Sequence, residues 1–231
     1  MTPAAQVFSA SEILQEILNG KRVDLLLKQW SKSNRYAGSK DRHAIRDFVY
    51  NGLRNKRSAL SKIKAPQSGR NWAIGVLIEA NKDLNKYFND ETYSSSSLTI
   101  EEKQAIQKAT ESTIPPDVEL NVPAFLWPIW NADLGDEAEN IAKNLCERAP
   151  AFLRVNLQRI SIPKVQDILL EDNIHTEQHP SVATALIITS GQNKIKNCKA
   201  FRDGLVEIQD ASSQASVCLL YTSPSPRDYT R

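Results

Sequence analysis

The spacing of apolar residues changes at Pro150, and this change limits the chain to a helical first part followed by a part that mixes strands and helices. Upstream, Val7, Ile13, Leu14, Ile17 and Leu18 recur at three- and four-residue steps before Gly20, as do Val23, Leu26, Leu27 and Trp30 before a polar stretch. That spacing lines one face of a helix, so two short amphipathic helices are expected. A third is expected to begin at Ser39, with the Ser39 hydroxyl as cap and Asp41 favouring the positive helix end. Its apolar face is Ile45, Phe48, Val49 and Leu53, and the pattern runs as far as Ile63 before Gly69 interrupts it. The pattern predicts a further helix over 71–88, a short linker at Ser94–Ser97, and a capping box at Thr99–Glu102 opening another helix that Pro115–Pro116 ends. Pro123 is placed in the first turn of a helix that Pro128 bends or shortens and Gly135 closes, and residues 136–147 read as the next helix.

Downstream, Ala151–Asn156 alternates like a strand, Pro163–Leu170 reads as a helix, and Ala183–Thr189 and Leu205–Gln209 read as β-branched strands. Asp210 can cap a helix after the last strand, one that truncation of the chain is expected to destroy. The expected fold class is α followed by α+β, with an all-helical domain at 1–147 and a small α/β domain at 148–217.

Charge is distributed unevenly along this frame. Residues 1–70 carry 14 Lys/Arg against 5 Asp/Glu, whereas residues 71–150 carry 6 against 14. A basic first third is the footprint of a surface that meets polyanions. No apolar run approaches the roughly 20 residues of a membrane-spanning helix, so no membrane partner and a cytoplasmic location are expected. Cys146 and Cys198 are single, distant thiols without a Cys-x-x-Cys pair, which fits a reducing compartment and structural roles.

Arg42, Arg46, Tyr50, Arg54 and Arg57 follow one another at steps of four, four, four and three, and so share one broad face if a single helix carries them. Guanidinium groups pair with phosphate and an aromatic ring stacks on an unpaired base, a combination suited to single-stranded or looped RNA. Lys40 and Lys56 add charge nearby. The alternative is a solvated basic face whose arginines pair with acidic residues of the 71–150 segment. His175 and His179 give a weak zinc-like spacing with no third ligand, and no metal site is expected.

Three segments carry a resemblance: Arg35–Arg54 (RYAGSKDRHAIRDFVYNGLR), Arg148–Asn156 (RAPAFLRVN) and Gly204–Gln214 (GLVEIQDASSQ). Together they resemble the RsmB/Sun family of S-adenosylmethionine-dependent RNA (cytosine-5) methyltransferases. The first resembles the NusB-like helical domain of that family, which implies recognition of structured RNA, ribosomal RNA most commonly, through Arg35, Lys40, Arg42, Arg46, Tyr50, Arg54 and Arg57. Arg35 and Arg42 can equally anchor the loop and helix start. The second resembles the opening of a small domain before the methyltransferase fold, and gives Arg154 as a further RNA contact or, alternatively, a residue facing the neighbouring catalytic domain. In the third, Gln209, Asp210, Ser212, Ser213 and Gln214 correspond to the junction with the cofactor fold.

The same resemblance implies a cofactor, S-adenosylmethionine, and two catalytic cysteines in an intact relative. Neither cysteine motif, nor a Gly-rich cofactor loop with its acidic ribose partner, occurs in this chain, so no catalytic or cofactor-binding residue is expected here. Cys218–Asp228 resembles a reading frame through a sequencing-library adaptor, with Tyr229–Arg231 continuing into an index. On that reading native sequence ends near Val217 and 218–231 is a non-native tail. The expectation is a monomeric RNA-positioning portion of a methyltransferase. Its rivals are a stand-alone NusB-like regulatory module and a helical interaction protein without affinity for nucleic acid.

Overall fold

A computed structural model describes the backbone of residues 1–222 and the side chains of residues 1–217. Contacts divide the chain into two compact units, one spanning Met1–Arg148 and the other beginning at Ala149.

The first unit contains nine α-helices among the described residues: α1 (Pro3–Leu18), α2 (Val23–Ser33), α3 (Ser39–Arg54), α4 (Lys56–Ser61), α5 (Gly69–Glu79), α6 (Ile100–Thr110), α7 (Pro116–Glu119), α8 (Trp127–Leu134) and α9 (Glu137–Cys146). At its centre lies α5, whose Trp72, Ala73 and Ile74 are fully buried. The indole Nε1 of Trp72 donates to the Gly52 carbonyl of α3 at 3.1 Å, so the buried ring keeps no unmet polar group. Two glycines allow α5 to sit there. A Cβ at Gly69 would lie 2.1 Å from the Ser11 carbonyl oxygen of α1, and one at Gly75 would lie 1.9 Å from the Ala59 carbonyl oxygen of α4. The neighbouring helices therefore approach α5 backbone to backbone.

Several boundaries differ from the sequence expectation. The third helix does not run to Ile63. It ends at Arg54, because Asn55 leaves helical geometry while its Nδ2 donates to the Asn51 carbonyl, and α4 starts afresh. Gly38, not Ser39, precedes its first residue. The Gly38 N–H donates to Asp41 Oδ2 at 3.0 Å, which ties the residue before the helix to its first turn, and the Ser39 hydroxyl does not act as the cap. The helix expected over 71–88 stops at Glu79, where Asn81 takes the left-handed conformation (φ 51°) and the Lys82 N–H reaches back to the Leu77 carbonyl at 2.9 Å. Pro128, rather than Pro123, occupies a first helical turn, since α8 begins at Trp127 and a missing N–H is harmless there. Two expected features are present: the reciprocal Thr99–Glu102 capping box of α6, and Gly135 closing α8 with φ 53°.

The second unit alternates strands and helices in the order β1 (Ala151–Val155), α10 (Ile162–Glu171), β2 (His175–Gln178), β3 (Ala185–Ser190), α11 (Lys199–Arg202), β4 (Val206–Ile208) and α12 (Ala211–Thr222). Its four strands form one sheet in the order β2-β3-β1-β4, antiparallel at every pairing. Leu153, Val155, Leu186 and Val206 from the sheet pack with Val165, Leu169 and Ala200 from the helices into a separate core. This is a βαββαβ unit followed by a helix.

The sequence expectation omitted β2, because its His-Thr-Glu-Gln side chains are polar and mostly exposed. It also foresaw the loss of the helix after Asp210, yet α12 is formed. Asp210 starts it, its carboxylate accepting from both the N–H (2.8 Å) and the hydroxyl (2.5 Å) of Ser212. Positions 223–231 of the expected non-native tail lie outside the described residues.

Candidate functional site

Helix α3 buries Ile45, Val49 and Gly52, which turns Arg46 and Tyr50 outward. Arg46 and Tyr50 lie one turn apart on this face, and the adjoining first turn adds exposed Lys40. Arg35 is exposed in the turn between α2 and α3. Arg42 is half-buried on the same helix, and its Nε is buried without a hydrogen-bond partner. Asp47 tempers the charge of this face: its carboxylate lies 3.9 Å from Arg46 and 3.4 Å from Arg148.

The break at Asn55 sends the rest of the expected basic face elsewhere. Arg54 Nε donates to the Cys146 carbonyl at 3.2 Å. Arg57 reaches the α7 region, donating to the Asp117 carboxylate (2.6 Å), the Asp117 carbonyl (2.9 Å) and the Val122 carbonyl. Lys56 sits over the Trp72 ring, 5.1 Å from its centroid. The structure thus groups Lys40, Arg42, Arg46 and Tyr50 on α3, while Arg54 and Arg57 bind the unit's own backbone.

Reasoning from spacing did not find Asn121, which organises this second group. Its Oδ1 accepts the N–H groups of Arg57 and Ser58 at 3.0 Å each, capping α4 from more than sixty residues away. No local sequence pattern signals such a cap. Its only trace is the choice of asparagine, which tolerates the φ of 56° found there.

In the second unit Arg154 is exposed on β1 and stands opposite Glu207 of β4. Both line a shallow cleft of about 300 Å³ together with Asn156, Gln158 and Thr184. The Gln209–Gln214 segment forms a compact hydrogen-bonded junction. Gln214, 3% exposed, accepts from the Thr184 hydroxyl at 2.7 Å and donates to the Gln209 carbonyl at 3.0 Å. Hydrogen bonds from Ser212 hold the Asp210 carboxyl below its usual pKa range.

Cys146 is half-buried and Cys198 is buried. Burial pushes the Cys146 thiol up, and its Sγ lies 3.6 Å from the Leu120 carbonyl oxygen; Cys198 is 2% exposed in the second core. The Cys146 setting does not favour a thiolate. The histidines of the zinc-like spacing belong to or adjoin the extended strand β2, where four residues span about 13 Å. His179 Nδ1 accepts the N–H groups of Ser181 and Val182, each at 3.1 Å. Among the described residues no three His, Cys, Asp or Glu side chains cluster as metal ligands would.

Residues 122–194 match a family described as the RsmF/B-like methyltransferase ferredoxin-like domain, whose name agrees with the βαββαβ order and the antiparallel β2-β3-β1-β4 sheet. A curated relative, ribosomal RNA small subunit methyltransferase B of Xanthomonas campestris pv. campestris, is 31% identical over 106 residues. Over these stretches the chain is similar to RsmB-type methyltransferases. It spans 24% of that RsmB relative's length, and the aligned part is 44% of this chain. The RsmF/B-like stretch begins at Val122, so it takes in α8 and α9 of the first unit as well as β1, α10, β2 and β3. A solved structure titled "Crystal Structure of PH0851" superposes with a TM-score of 0.54, covering 95% of this chain and 56% of that one; at 17% identity the likeness is one of fold.

Proposed function

We infer that this chain is the RNA-positioning portion of an S-adenosylmethionine-dependent RNA (cytosine-5) methyltransferase acting on ribosomal RNA. The observation that carries the reading is the outward face of α3, where Lys40, Arg46 and Tyr50 project from a helix whose other side is locked into the core. Cations on a rigid helix neutralise phosphates at fixed spacing, and a tyrosine among them adds a stacking surface. The printed name of the Xanthomonas relative supports the substrate class. Arg35 and Arg42 at the start of the face, and Arg154 in the second unit, extend the same role. Arg54 and Arg57 act indirectly, by holding α7 and α9 against the end of α3 and the start of α4.

S-adenosylmethionine supplies the methyl group in this class of reaction. The described residues do not fit that cofactor: their one sheet is antiparallel, and the crevice that holds dinucleotide-type ligands forms at the carboxyl ends of parallel strands. The sequence also lacks a Gly-rich loop after a strand, and Cys146 and Cys198 are placed as packing groups. This chain's own residues therefore bind and orient RNA, and no step of methyl transfer is assigned to them.

The test is titration of a labelled RNA stem–loop with the chain at rising salt. Affinity should fall linearly on a log–log scale, and Arg46→Glu should weaken binding uniformly across RNA sequences while reducing the slope by about one phosphate contact. Affinity that does not respond to salt or to Arg46→Glu removes the reading and leaves a helical protein with other partners.

A further inference from the structure

Two tyrosines outside the α3 face stand open to solvent. Tyr36 is 72% exposed and Tyr93 is 79% exposed. They line the same cleft of about 440 Å³, with Met1, Thr2, Ala5 and Thr92 as its other walls. Exposed rings of this size ordinarily turn inward, since each has a large apolar area to remove from water. Here the backbone holds them out.

Tyr36 lies in a turn closed by the Ala37 N–H bonding to the Asn34 carbonyl at 3.1 Å, and Asn34 Nδ2 anchors that turn to the end of α2 through the Trp30 carbonyl at 2.9 Å. Tyr93 has φ 67°, a left-handed conformation rare for a bulky residue, and its loop is pinned on both sides. The Ser94 hydroxyl donates to Asn89 Oδ1 at 2.7 Å, and the Ser97 N–H donates to Asp90 Oδ1 at 3.1 Å. A strained, outward tyrosine held by a fixed loop marks a place where the surroundings set the ring's direction.

We propose that the Tyr36–Tyr93 cleft receives one unpaired base of the bound RNA, stacked on the tyrosine rings. The cleft volume lies within the range of small-molecule sites, and its apolar walls suit the faces of a base, while the hydroxyls of Thr2 and Thr92 are at hand for its polar edge. The surrounding charge favours an anionic backbone outside. Arg35 adjoins Tyr36 in sequence and Lys40 follows four residues later, both exposed, and the Asp41 carboxylate is already occupied by the Met1 ammonium (3.1 Å) and Gln6 (2.9 Å). Exposed Glu91, two residues before Tyr93, disfavours phosphate at the far wall, so a base enters there and the strand passes on the Arg35 side. Stacking uses the ring face common to all four bases, so the pocket tolerates any of them.

The proposal rests on the RNA-binding reading and is separable from it. The full chain is titrated with labelled oligo(U) and with an abasic oligoribose phosphate of equal length. Tyr36→Ala and Tyr93→Gly should each weaken oligo(U) binding roughly 5- to 100-fold, while Tyr36→Phe keeps it. Tyr93→Gly suits the positive φ, so it leaves the loop intact. The abasic chain should bind wild type as weakly as it binds the variants. Should wild type bind oligo(U), lose it with Arg46→Glu, and ignore both tyrosine variants, the cleft proposal is overturned and the RNA reading stands. Equal losses for the abasic chain overturn the proposal too, because a base is then not the occupant. Absence of any RNA binding by wild type ends both.

Discussion

Asn121 and Ser58, sixty-three residues apart, hold each other at two points: Asn121 Oδ1 accepts the Ser58 N–H at 3.0 Å, and Asn121 Nδ2 donates to the Ser58 hydroxyl at 2.9 Å. Asn121 thereby caps α4 from outside the helix and ties the α7 region to it. Asn121→Ala should lower the stability of the first unit by about 2 kcal/mol, the loss of a helix cap plus unmet donors in a half-buried place. All four tryptophans, at 30, 72, 127 and 130, lie in this unit, so tryptophan fluorescence during urea unfolding reports on it. Asn121→Gly should retain part of the loss, because glycine accepts the φ of 56° without replacing the cap. An unchanged midpoint for Asn121→Ala would refute the role given to this side chain.

Arg57 and Arg46 separate structure from RNA contact. Arg57→Glu puts a carboxylate against Asp117, with side chains 33% and 18% exposed, and empties two carbonyl acceptors. It should cost about 2–4 kcal/mol of unfolding free energy. Arg46 is exposed and lies 3.9 Å from Asp47, and Arg46→Glu should change stability by less than about 0.5 kcal/mol while it weakens RNA binding. If Arg57→Glu melts like wild type, the clasp contributes nothing.

Gly75→Ala should prevent the first unit from folding. Its methyl would meet the Ala59 carbonyl oxygen at 1.9 Å, a main-chain atom that no rotamer change can clear. Gly135→Ala meets no atom within 4 Å and carries only the backbone strain of φ 53° with ψ −129°, about 1–3 kcal/mol. Far-ultraviolet circular dichroism of the two variants distinguishes a steric requirement from a conformational one. Comparable spectra and midpoints would contradict the close packing of α4 on α5.

The Arg70–Glu102 pair gives the first unit an acid-sensitive link. Arg70 Nε lies 2.6 Å from Glu102 Oε1, and this bond is the main cause of a Glu102 carboxyl held below its ordinary value. A lowered folded-state pKa stabilises above the unfolded value of about 4.3, and the contribution is lost as pH falls through the folded value. Glu102→Gln keeps a capping-box side chain but removes the charge. It should be less stable than wild type by about 1 kcal/mol at pH 7, with the gap closing below pH 4. A gap that does not depend on pH would assign the effect to packing.

Much of the frame was readable because it rests on local chemistry. Thr99 and Glu102 announce α6 by their spacing, and Leu153 and Val155 alternate with exposed Arg154 as a half-buried strand must. The polar strand β2 left no such mark, since its place is set by backbone pairing with β3. The basic face was legible only as far as α3 extends. Steps of four align side chains on one continuous helix, and Asn55 ends that helix before Arg57. The cap supplied by Asn121 and the cleft between Tyr36 and Tyr93 join residues 57 or more positions apart, beyond the reach of any pattern in a window.

The polar character of β2 has a further consequence. In the β2-β3-β1-β4 sheet the outermost strands are β2, whose side chains offer a newcomer little to bury, and β4, which is only three residues long. A lateral border so blunt gives another polypeptide scant reason to continue the ladder. Among the described strands, edge-to-edge pairing between copies of this sheet is therefore disfavoured.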